Sequence, residues 1–393
     1  MGTRAPRGED AHVDSAMAEA LGRPIGLWQR ADAPSTDVAV SSRVRLARNV
    51  ADLPFPPRMQ PSDVDSLLHR VERAAAEIPR DLGIFTFTRM SELTPLDRQV
   101  LVEKHLISRQ HAEQGRGAVL VRSDEQLSAM VLEEDHLRLQ ALFPGLQLGA
   151  AWALASRFDD ALESSLDWAF SDDVGFLSTC PTNLGTAMRA SVMLHLPGLC
   201  WTRRIGSLLA SLGAVGVVAR GLYGEGSTAE GNLFQVSNQT SLGQSEEEVV
   251  AHLQAVAREI AARERSAREA LLAERREAVE DRVWRAYGIL SSARLLTSGE
   301  ALQLLSDLRL GSDLHVLPTV SADGWAELLV VTRRGFLQRQ DGEAAPGRRD
   351  ARRAETVRRR LAAALTPPVP DHAATGSVAN GTHSDQKEDV PDA

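Results

Sequence analysis

The chain has 393 residues, a formal net charge of −9 and 25% charged residues, so it is long enough for two or three domains with a sizeable core. The acidic balance argues against direct nucleic-acid binding. Two cysteines, Cys180 and Cys200, exclude a disulfide framework and a cysteine-rich zinc site, as is typical of a reducing cytosol. Residues 1–20 lack the apolar core of a signal peptide, and no segment is apolar enough to span a membrane. We therefore expect a cytoplasmic protein with no membrane partner.

Strands and helices alternate along the first two thirds of the chain. Short apolar runs predict strands at residues 37–40, 83–88, 118–121, 129–132 and 214–219. Helical patterns lie between them at residues 62–77 and 185–194. A mixed unit of strands and helices follows, and the order in which the strands pair is not readable from the pattern.

The remainder of the chain is predicted to be mainly helical. Ser245 and Glu248 have the spacing of a capping box, and apolar residues follow them at helical intervals. Residues 258–285 are predicted as one long charged helix, and residues 298–308 as another helix that stops at Gly311. The predicted organisation is a flexible leader over 1–26, a first domain over 27–257, a helical domain over 258–365 and a disordered tail over 366–393.

The most informative motif is residues 180–186, with the sequence CPTNLGT, and the arginine that follows at Arg189. Proline is favoured at the first position of a helix, so a helix is predicted to begin at Pro181. The free N–H groups and the positive dipole end of that helix, together with Arg189, would lower the pKa of the Cys180 thiol. The motif alone leaves two interpretations open, a functional thiolate or a small buried hydrophobic side chain.

Two clusters of charged residues accompany short apolar runs. Arg43 and Arg45 alternate around Val44, so in a strand their side chains share one face. Residues 133–135, with the sequence EED, and Arg138 combine carboxylates that could bind or deprotonate a cationic group with a guanidinium that could bind an anion. Taken singly, the first cluster could equally be a solvated strand edge and the second a surface turn.

A further cluster places Arg220 and Glu225 on either side of glycines, which by itself could be a simple turn. Taken together, arginines from separate segments could converge on a nucleoside triphosphate, because guanidinium groups bind phosphate oxygens in pairs. The chain has neither a Gly-x-x-x-x-Gly-Lys phosphate loop nor the His-Arg-Asp and Asp-Phe-Gly motifs of protein kinases. Arginines beside glutamates and a cysteine would suit phosphoryl transfer to a cationic acceptor.

The same motifs, in the same order, occur in the ATP:guanido phosphotransferases, which the chain resembles over residues 27–257. In metabolic members an all-helical domain precedes the arginine motif, whereas here that motif starts at Ser41 and a helical region follows. This arrangement resembles the bacterial protein-arginine kinase branch of the family (McsB type). So do three later segments, residues 183–197, 221–227 and 231–239. Residues 349–354, with the sequence RDARRA, also resemble that branch, although alone they could be part of a plain basic helix.

The resemblance implies an α+β fold of the phosphagen-kinase type, with an antiparallel sheet flanked by helices and then a smaller, mainly helical domain. It implies an enzyme that transfers the γ-phosphate of ATP to the guanidino group of protein arginines. By the same resemblance, Glu134 and Glu225 would hold the acceptor guanidinium, with Glu134 as the general base. A Cys180 thiolate would orient the acceptor without forming a covalent bond. The residue before the two glutamates, usually Asn in the family, is Leu132 here.

The resemblance also implies a set of binding residues. The ATP phosphates would be bound by Ser42, Arg43, Arg45, Arg138, Arg189 and Arg220. Mg²⁺ would bridge phosphate oxygens, and no protein side chain is identified as its ligand. Arg349, Asp350 and Arg353 would bind phosphoarginine as an allosteric signal.

The implied partners are protein substrates with accessible arginines, among them a stress-response repressor. An activator protein, a Clp-type protease system that receives the marked clients, and a second copy of the chain in a homodimer are also implied. These expectations follow from the resemblance alone.

Three alternatives compete with this interpretation. A kinase for free arginine or another small guanidino metabolite is disfavoured by the position of the arginine motif near residue 41. A catalytically inactive adaptor that recognises phosphoarginine is disfavoured by the intact glutamates, cysteine and arginines. A DNA-binding regulator that uses the basic run near Arg352 has little support from the charge balance.

Overall fold

The computed structural model describes residues 14–30, 32–221, 230–342 and 345–364. Residues 1–13 of the predicted leader and the whole predicted tail lie outside the described residues. The rest of the leader contains a helix at Ser15–Gly22, whose Met17 and Leu21 are buried in the same cluster as Val100. Within the described residues, no helix combines the length and the apolar character that crossing a membrane requires.

The described residues contain ten strands, which we number in chain order. They are β1 (Ala39–Arg48), β2 (Phe85–Arg89), β3 (Ala118–Arg122), β4 (Leu127–Val131), β5 (Leu137–Pro144), β6 (Phe170–Ser171), β7 (Gly175–Phe176), β8 (Met188–His195), β9 (Val217–Gly221) and β10 (Leu233–Asn238). Eight of these form one antiparallel sheet in the order β2-β3-β4-β5-β1-β8-β10-β9, and β6 pairs with β7 as a small hairpin. The centre of the sheet is therefore β5, β1 and β8.

The described residues also contain thirteen α-helices. They are α1 (Ser15–Gly22), α2 (Pro61–Glu77), α3 (Pro95–Glu103), α4 (Arg109–Gln114), α5 (Leu148–Glu163), α6 (Pro197–Trp201), α7 (Ile205–Leu212), α8 (Glu246–Glu274), α9 (Arg276–Ser292), α10 (Ser298–Asp313), α11 (Ala322–Val331), α12 (Arg334–Asp341) and α13 (Pro346–Ala364). The capping box predicted at Ser245 and Glu248 is confirmed, since each side chain accepts a hydrogen bond from the other's backbone N–H.

Helices cover both faces of the sheet. One face, which carries Val44 and Leu46 of β1, packs against α2, α5 and α8. On the other face, the strands β3, β4 and β5 pack against α1, α3 and parts of α11 and α12. The helices α9, α10, α11 and α13 form a separate hydrophobic core that meets the sheet through Leu233 of β10. The second, partly covered face is the one that receives the arginines of β1.

The helix predicted at residues 185–194 is wrong, because these residues contain β8. Its Ala190, Val192 and Leu194 are buried at every second position, and it pairs with β1 on one side and β10 on the other. Alanine, methionine and leucine favour helices locally, but pairing with two strands and burial of one face outweigh that preference.

Two helix ends also differ from prediction. The stop predicted at Gly311 is wrong, because α10 continues to Asp313. A Cβ at Gly311 would lie 2.8 Å from Cβ of Val283, so this glycine permits close packing against α9.

The long helix predicted over 258–285 is divided at Arg275, whose φ of −140° and ψ of 40° are not helical. The strand predicted at 214–219 begins only at Val217.

A buried ion pair fixes the end of β1 to α5. Arg48 is 1% exposed, and its Nη2 lies 2.6 Å from Oδ2 of Asp159. The Arg48 guanidinium carbon also lies 3.5 Å from the centre of the Phe176 ring in β7. Arg48 therefore joins β1, α5 and the β6–β7 hairpin.

Replacement of Asp159 by alanine should lower the free energy of unfolding by about 3–5 kcal/mol, because it leaves the buried Arg48 charge without its partner. Urea denaturation measures this loss. The neighbouring Asp160 is exposed, so Asp160→Ala should change stability by no more than about 0.5 kcal/mol. Equal losses in the two variants would contradict a specific role for the pair.

Candidate active site

Five arginines from four strands converge on the second face of the sheet. In the register of the central strands, Arg45 of β1 lies opposite Arg189 of β8. Arg43 lies two residues before Arg45 on β1, on the same face. Facing residues of adjacent strands share a face, which brings these side chains together. Arg138 of β5 and Arg220 of β9 reach the same place. All five line one cavity of about 210 Å³.

The arginine cavity is electrostatically unfavourable without an anion. Burial, followed by the charges of Arg138 and Arg189, lowers the pKa of Arg43 to about 10. Burial and then the charge of Arg43 also lower the pKa of Arg45 well below its usual range. Nε of Arg45 is buried and has no hydrogen-bond partner among the described residues. Burial of like charges is costly, so a multiply charged anion bound between the arginines would reduce their mutual repulsion.

A second cavity, of about 480 Å³, adjoins the first and adds carboxylates and a thiol. It shares Arg45, Arg138, Arg189 and Arg220 with the arginine cavity and is also lined by Glu134 and Cys180. A cavity lined by five arginines thus lies directly beside one that also has carboxylates and a thiol. Glu134 and Cys180, which the sequence motifs singled out, line the same cavity.

The two neighbouring glutamates have different environments. Glu133 is buried, and both its carboxylate oxygens accept hydrogen bonds from Nη1 of Arg138, at 2.9 and 2.7 Å. Burial alone would raise the pKa of Glu133, but Arg138, Ser108 and His111 together lower it. Glu134 is half-buried at the wall of the second cavity. Glu133 therefore orients an arginine, whereas Glu134 lines the second cavity and is only partly buried.

The turn before these glutamates is formed by Leu132, which has a φ of 65°. Asparagine tolerates this left-handed conformation better than leucine does, which gives a physical reason for the family's usual Asn at this position. The Leu132 side chain is buried in the core below the sheet, so its packing offsets the conformational cost.

Cys180 lies at the wall of the second cavity and is not a core residue. Its Sγ is 3.0 Å from Oγ1 of Thr182, and its side chain is half-buried. The helix predicted to begin at Pro181 is a single 3₁₀ turn, Pro181–Asn183, so its dipole is small. Cys200 contrasts with it, because burial, followed by the charge of Glu264, raises the pKa of that thiol to about 12. Of the two cysteines, only Cys180 faces the site.

Comparison with known proteins agrees with this geometry. The catalytic-domain model of the ATP:guanido phosphotransferases matches residues 66–267, and the model of the McsB protein-arginine kinase C-terminal domain matches residues 276–372. The protein-arginine kinase of Symbiobacterium thermophilum is 49% identical over 352 residues, which are 88% of this chain and 99% of the relative. That of Brevibacillus brevis is 48% identical over 341 residues, which are 86% of this chain and 96% of the relative.

This chain belongs to the protein-arginine kinase family of ATP:guanido phosphotransferases. The crystal structure of lombricine kinase shares the fold over 63% of this chain and 69% of its own, with a TM-score of 0.53 and 22% identity. The family and the fold class inferred from the sequence are therefore confirmed.

Not every residue that the family resemblance suggested reaches the cavities. Ser42 is buried on the opposite face of β1, where its Oγ donates to the carbonyl of Gly145 and accepts from the N–H of Gln147, both at 2.8 Å. Its role in ATP binding remains a prediction. Glu225 lies in residues 222–229, outside the described residues.

The element at 349–354 lies in the first half of α13. Arg353 is buried, and it donates hydrogen bonds to the carbonyls of Thr332 and Leu296 and to Oδ1 of Asp350, at 2.7, 2.8 and 2.6 Å. Arg353 therefore ties α13 to the end of α11 and to the residue just before the N-cap of α10 in this structure. Binding of phosphoarginine by Arg349, Asp350 and Arg353 remains a prediction. Within the described residues, no group of His, Cys, Asp and Glu side chains is arranged to hold a metal ion.

The sequence motifs gave no individual role to two residues that lie at the cavities, His105 and Asp135. His105 lines the arginine cavity, and burial, followed by Arg43 and Arg333, lowers its pKa to about 3, so the ring is neutral at physiological pH. Asp135 is buried and accepts hydrogen bonds from Nδ2 of Asn49, the N–H of Thr179 and Oγ of Ser178, at 2.7, 2.7 and 2.6 Å. A signal for Asp135 existed, because it is the third acid of the 133–135 run.

Asp135 is a positioning residue, since it holds the backbone just before Cys180. Replacement by alanine should lower kcat by about 10- to 100-fold and leave the KM for ATP nearly unchanged, because the acceptor side of the site would shift. Asp135→Asn should restore most of kcat, since an amide oxygen still accepts from the Thr179 N–H. Steady-state kinetics separate these parameters, and equal losses in kcat and in ATP affinity would contradict the role.

Proposed function

We propose that this protein transfers the γ-phosphate of MgATP to the guanidino group of arginine residues in proteins. The observation that carries the proposal is the junction of the two cavities, where four arginines line both a phosphate-binding space and a space with Glu134 and Cys180. The membership of the protein-arginine kinase family supports the same acceptor.

The arginines would bind the phosphates and stabilise the transition state. Guanidinium groups bind phosphate oxygens bidentately, and a loose phosphoryl-transfer transition state spreads negative charge over the equatorial oxygens. Mg²⁺ would enter with the nucleotide as part of the substrate. Because the arginines are already crowded on a rigid sheet, their arrangement needs no reorganisation when charge develops.

Glu134 would activate the acceptor. An arginine side chain has a pKa above about 12, so one of its nitrogens must lose a proton to become a nucleophile. Glu133 is engaged by Arg138, which leaves Glu134 as the carboxylate available to a guanidinium in the second cavity. A nitrogen–phosphorus bond would form while the bond from the γ-phosphorus to the ADP oxygen breaks, and the proton would pass to Glu134.

The nucleoside would extend from the arginine cavity toward the helices after the sheet. A third cavity shares Arg43, His105 and Gln235 with the arginine cavity and is otherwise lined mainly by apolar side chains, including Met193 of β8 and Leu329 of α11. A neutral ring at His105 and an apolar wall suit a purine better than they suit a phosphate. The helical region would then contribute directly to ATP binding.

The partners, the cellular location and the role of Glu225 are proposed from family membership alone. We propose that the phosphorylated proteins are clients of a Clp-type protease and include a stress regulator, that an activator protein and homodimerisation assist the kinase, and that it acts in the cytoplasm. Glu225 is proposed as the second carboxylate on the acceptor guanidinium.

Replacement of Glu134 by glutamine should lower phosphorylation of an unfolded model protein by about 10²- to 10⁴-fold, because the general base is lost. Mass spectrometry for phosphoarginine after reaction with MgATP measures the product. Glu163 is exposed at the end of α5, so Glu163→Gln is the matched control and should react like the wild type. Phosphorylation of free arginine by the wild type, with none on the protein, would overturn the proposed function.

Replacement of Cys180 by serine should lower kcat by about tenfold and leave the KM for ATP unchanged, because the sulfur that would orient the acceptor guanidinium is removed while the phosphate-binding arginines remain. Cys200→Ser provides the control, since that thiol lies outside the cavities and should not affect kcat. Wild-type turnover in Cys180→Ser would show that the Cys180 thiol has no part in catalysis.

A further inference from the structure

Three exposed apolar side chains lie on segments that contact the 180–186 loop, other residues of which line the second cavity. Phe170, Val174 and Leu242 are 55%, 36% and 58% exposed, and we call them the apolar rim. Single exposed apolar residues are common, but a group of them at one place indicates an interaction surface.

The segments that carry the apolar rim contact the chain at one residue, Gly185. The carbonyl of Val174 accepts a hydrogen bond from the N–H of Gly185 at 2.8 Å. The N–H of Phe176, the strand partner of Phe170, donates to the carbonyl of Gly185 at 2.9 Å. A Cβ built on Gly185 would lie 2.8 Å from Cα of Leu242. The three side chains thus come from two separate segments that meet at the end of the 180–186 loop.

The other side of this loop lines the acceptor site. Cys180, Thr182 and Asn183 form part of the wall of the second cavity. Ser241, which directly precedes Leu242, donates from Oγ to the carbonyls of Thr182 and Leu184, at 3.2 and 2.8 Å. Only the thickness of one loop separates the apolar rim from the cavity. An extended chain rises about 3.3 Å per residue, so residues roughly two to four positions from a bound arginine would reach the rim.

Phe170 is exposed on a hairpin that ring contacts hold in place. Its ring packs edge-on against Phe176, with ring centres 5.2 Å apart, and Phe176 in turn lies under the buried Arg48. The fold therefore holds this apolar side chain in solvent at a fixed place. Two carboxylates, Asp172 and Asp173, are exposed at the tip of the same hairpin. Their charge is complementary to a basic polypeptide.

We propose that the apolar rim and the adjacent acidic tip bind the unfolded polypeptide on either side of the target arginine. The inference rests on the proposed function and specifies the substrate class, an extended segment in which an apolar side chain lies a few residues from an arginine. Folded surfaces seldom present such a segment, because apolar side chains next to an arginine are usually buried. Free arginine would contact the cavity but would not reach the rim.

Two matched peptides test the proposal, one with leucine or phenylalanine three residues before and after a single arginine, the other with serine at those positions. The wild type should phosphorylate the apolar peptide with a kcat/KM about tenfold higher, the change expected from one well-buried apolar contact. The triple variant Phe170→Ser, Val174→Ser, Leu242→Ser should lose this preference and keep the wild-type kcat/KM for the serine peptide. Since all three side chains are exposed, the variant should fold, which its thermal unfolding checks.

Ile84→Ser is the control, because Ile84 is 73% exposed just before β2, an edge strand of the sheet, and does not line the second cavity. It should leave the preference intact. Asp172→Asn with Asp173→Asn should lower the rate for both peptides at low salt, and added salt should remove the difference. Phosphoarginine formed equally on both peptides by the wild type, or a preference that survives the triple variant, would overturn this inference and leave the proposed function standing. No phosphoarginine on either peptide or on protein would instead contradict the proposed function.

Discussion

The crowding of guanidinium groups on the central strands is the constraint on which the rest of the site depends. Strand alternation requires Arg43 and Arg45 to share a face, and pairing with β8 places Arg189 beside them. Burial, and then the repulsion of Arg138 and Arg189, lowers the pKa of Arg43 to about 10. A polyphosphate would stabilise a rigid, buried cluster of this kind, so in the proposed function the same backbone pairing that forms the sheet also prepares the nucleotide site.

The acceptor side is organised by a different interaction, the hydrogen bonds of Asp135. This carboxylate joins the turn after β4 to the backbone before Cys180, two segments separated by more than forty residues in the chain. Glu133 meanwhile engages Arg138, so each acid of the 133–135 run has its own task. In the proposed function, orientation of the acceptor and orientation of the phosphates would be coupled through this one short loop.

The helices that follow the sheet in the chain help to form the third cavity. The carboxylate of Glu103 accepts the N–H groups of Gly335 and Phe336 at the start of α12, at 2.8 and 3.0 Å, and burial raises its pKa. On the far side, Arg353 holds the end of α11 through the carbonyl of Thr332. Between these two attachments lies the cavity that reaches His105 and Arg43. The position of α11 and the shape of the proposed nucleoside pocket therefore depend on each other.

Local sequence determined much of this protein: the helix caps, as at Ser245, the shared face of Arg43 and Arg45, and the motifs that indicate phosphoryl transfer to a guanidino group. The caps and the shared face depend on short-range hydrogen bonding and periodicity, which a sequence displays directly, whereas the guanidino acceptor is implied by the resemblance of the motifs to the family. Only the tertiary structure decided that residues 188–195 form a strand and that Asp135 holds the Cys180 loop. Both depend on strand pairing or on contacts between distant segments, whose free energy exceeds the local conformational preference of the residues involved.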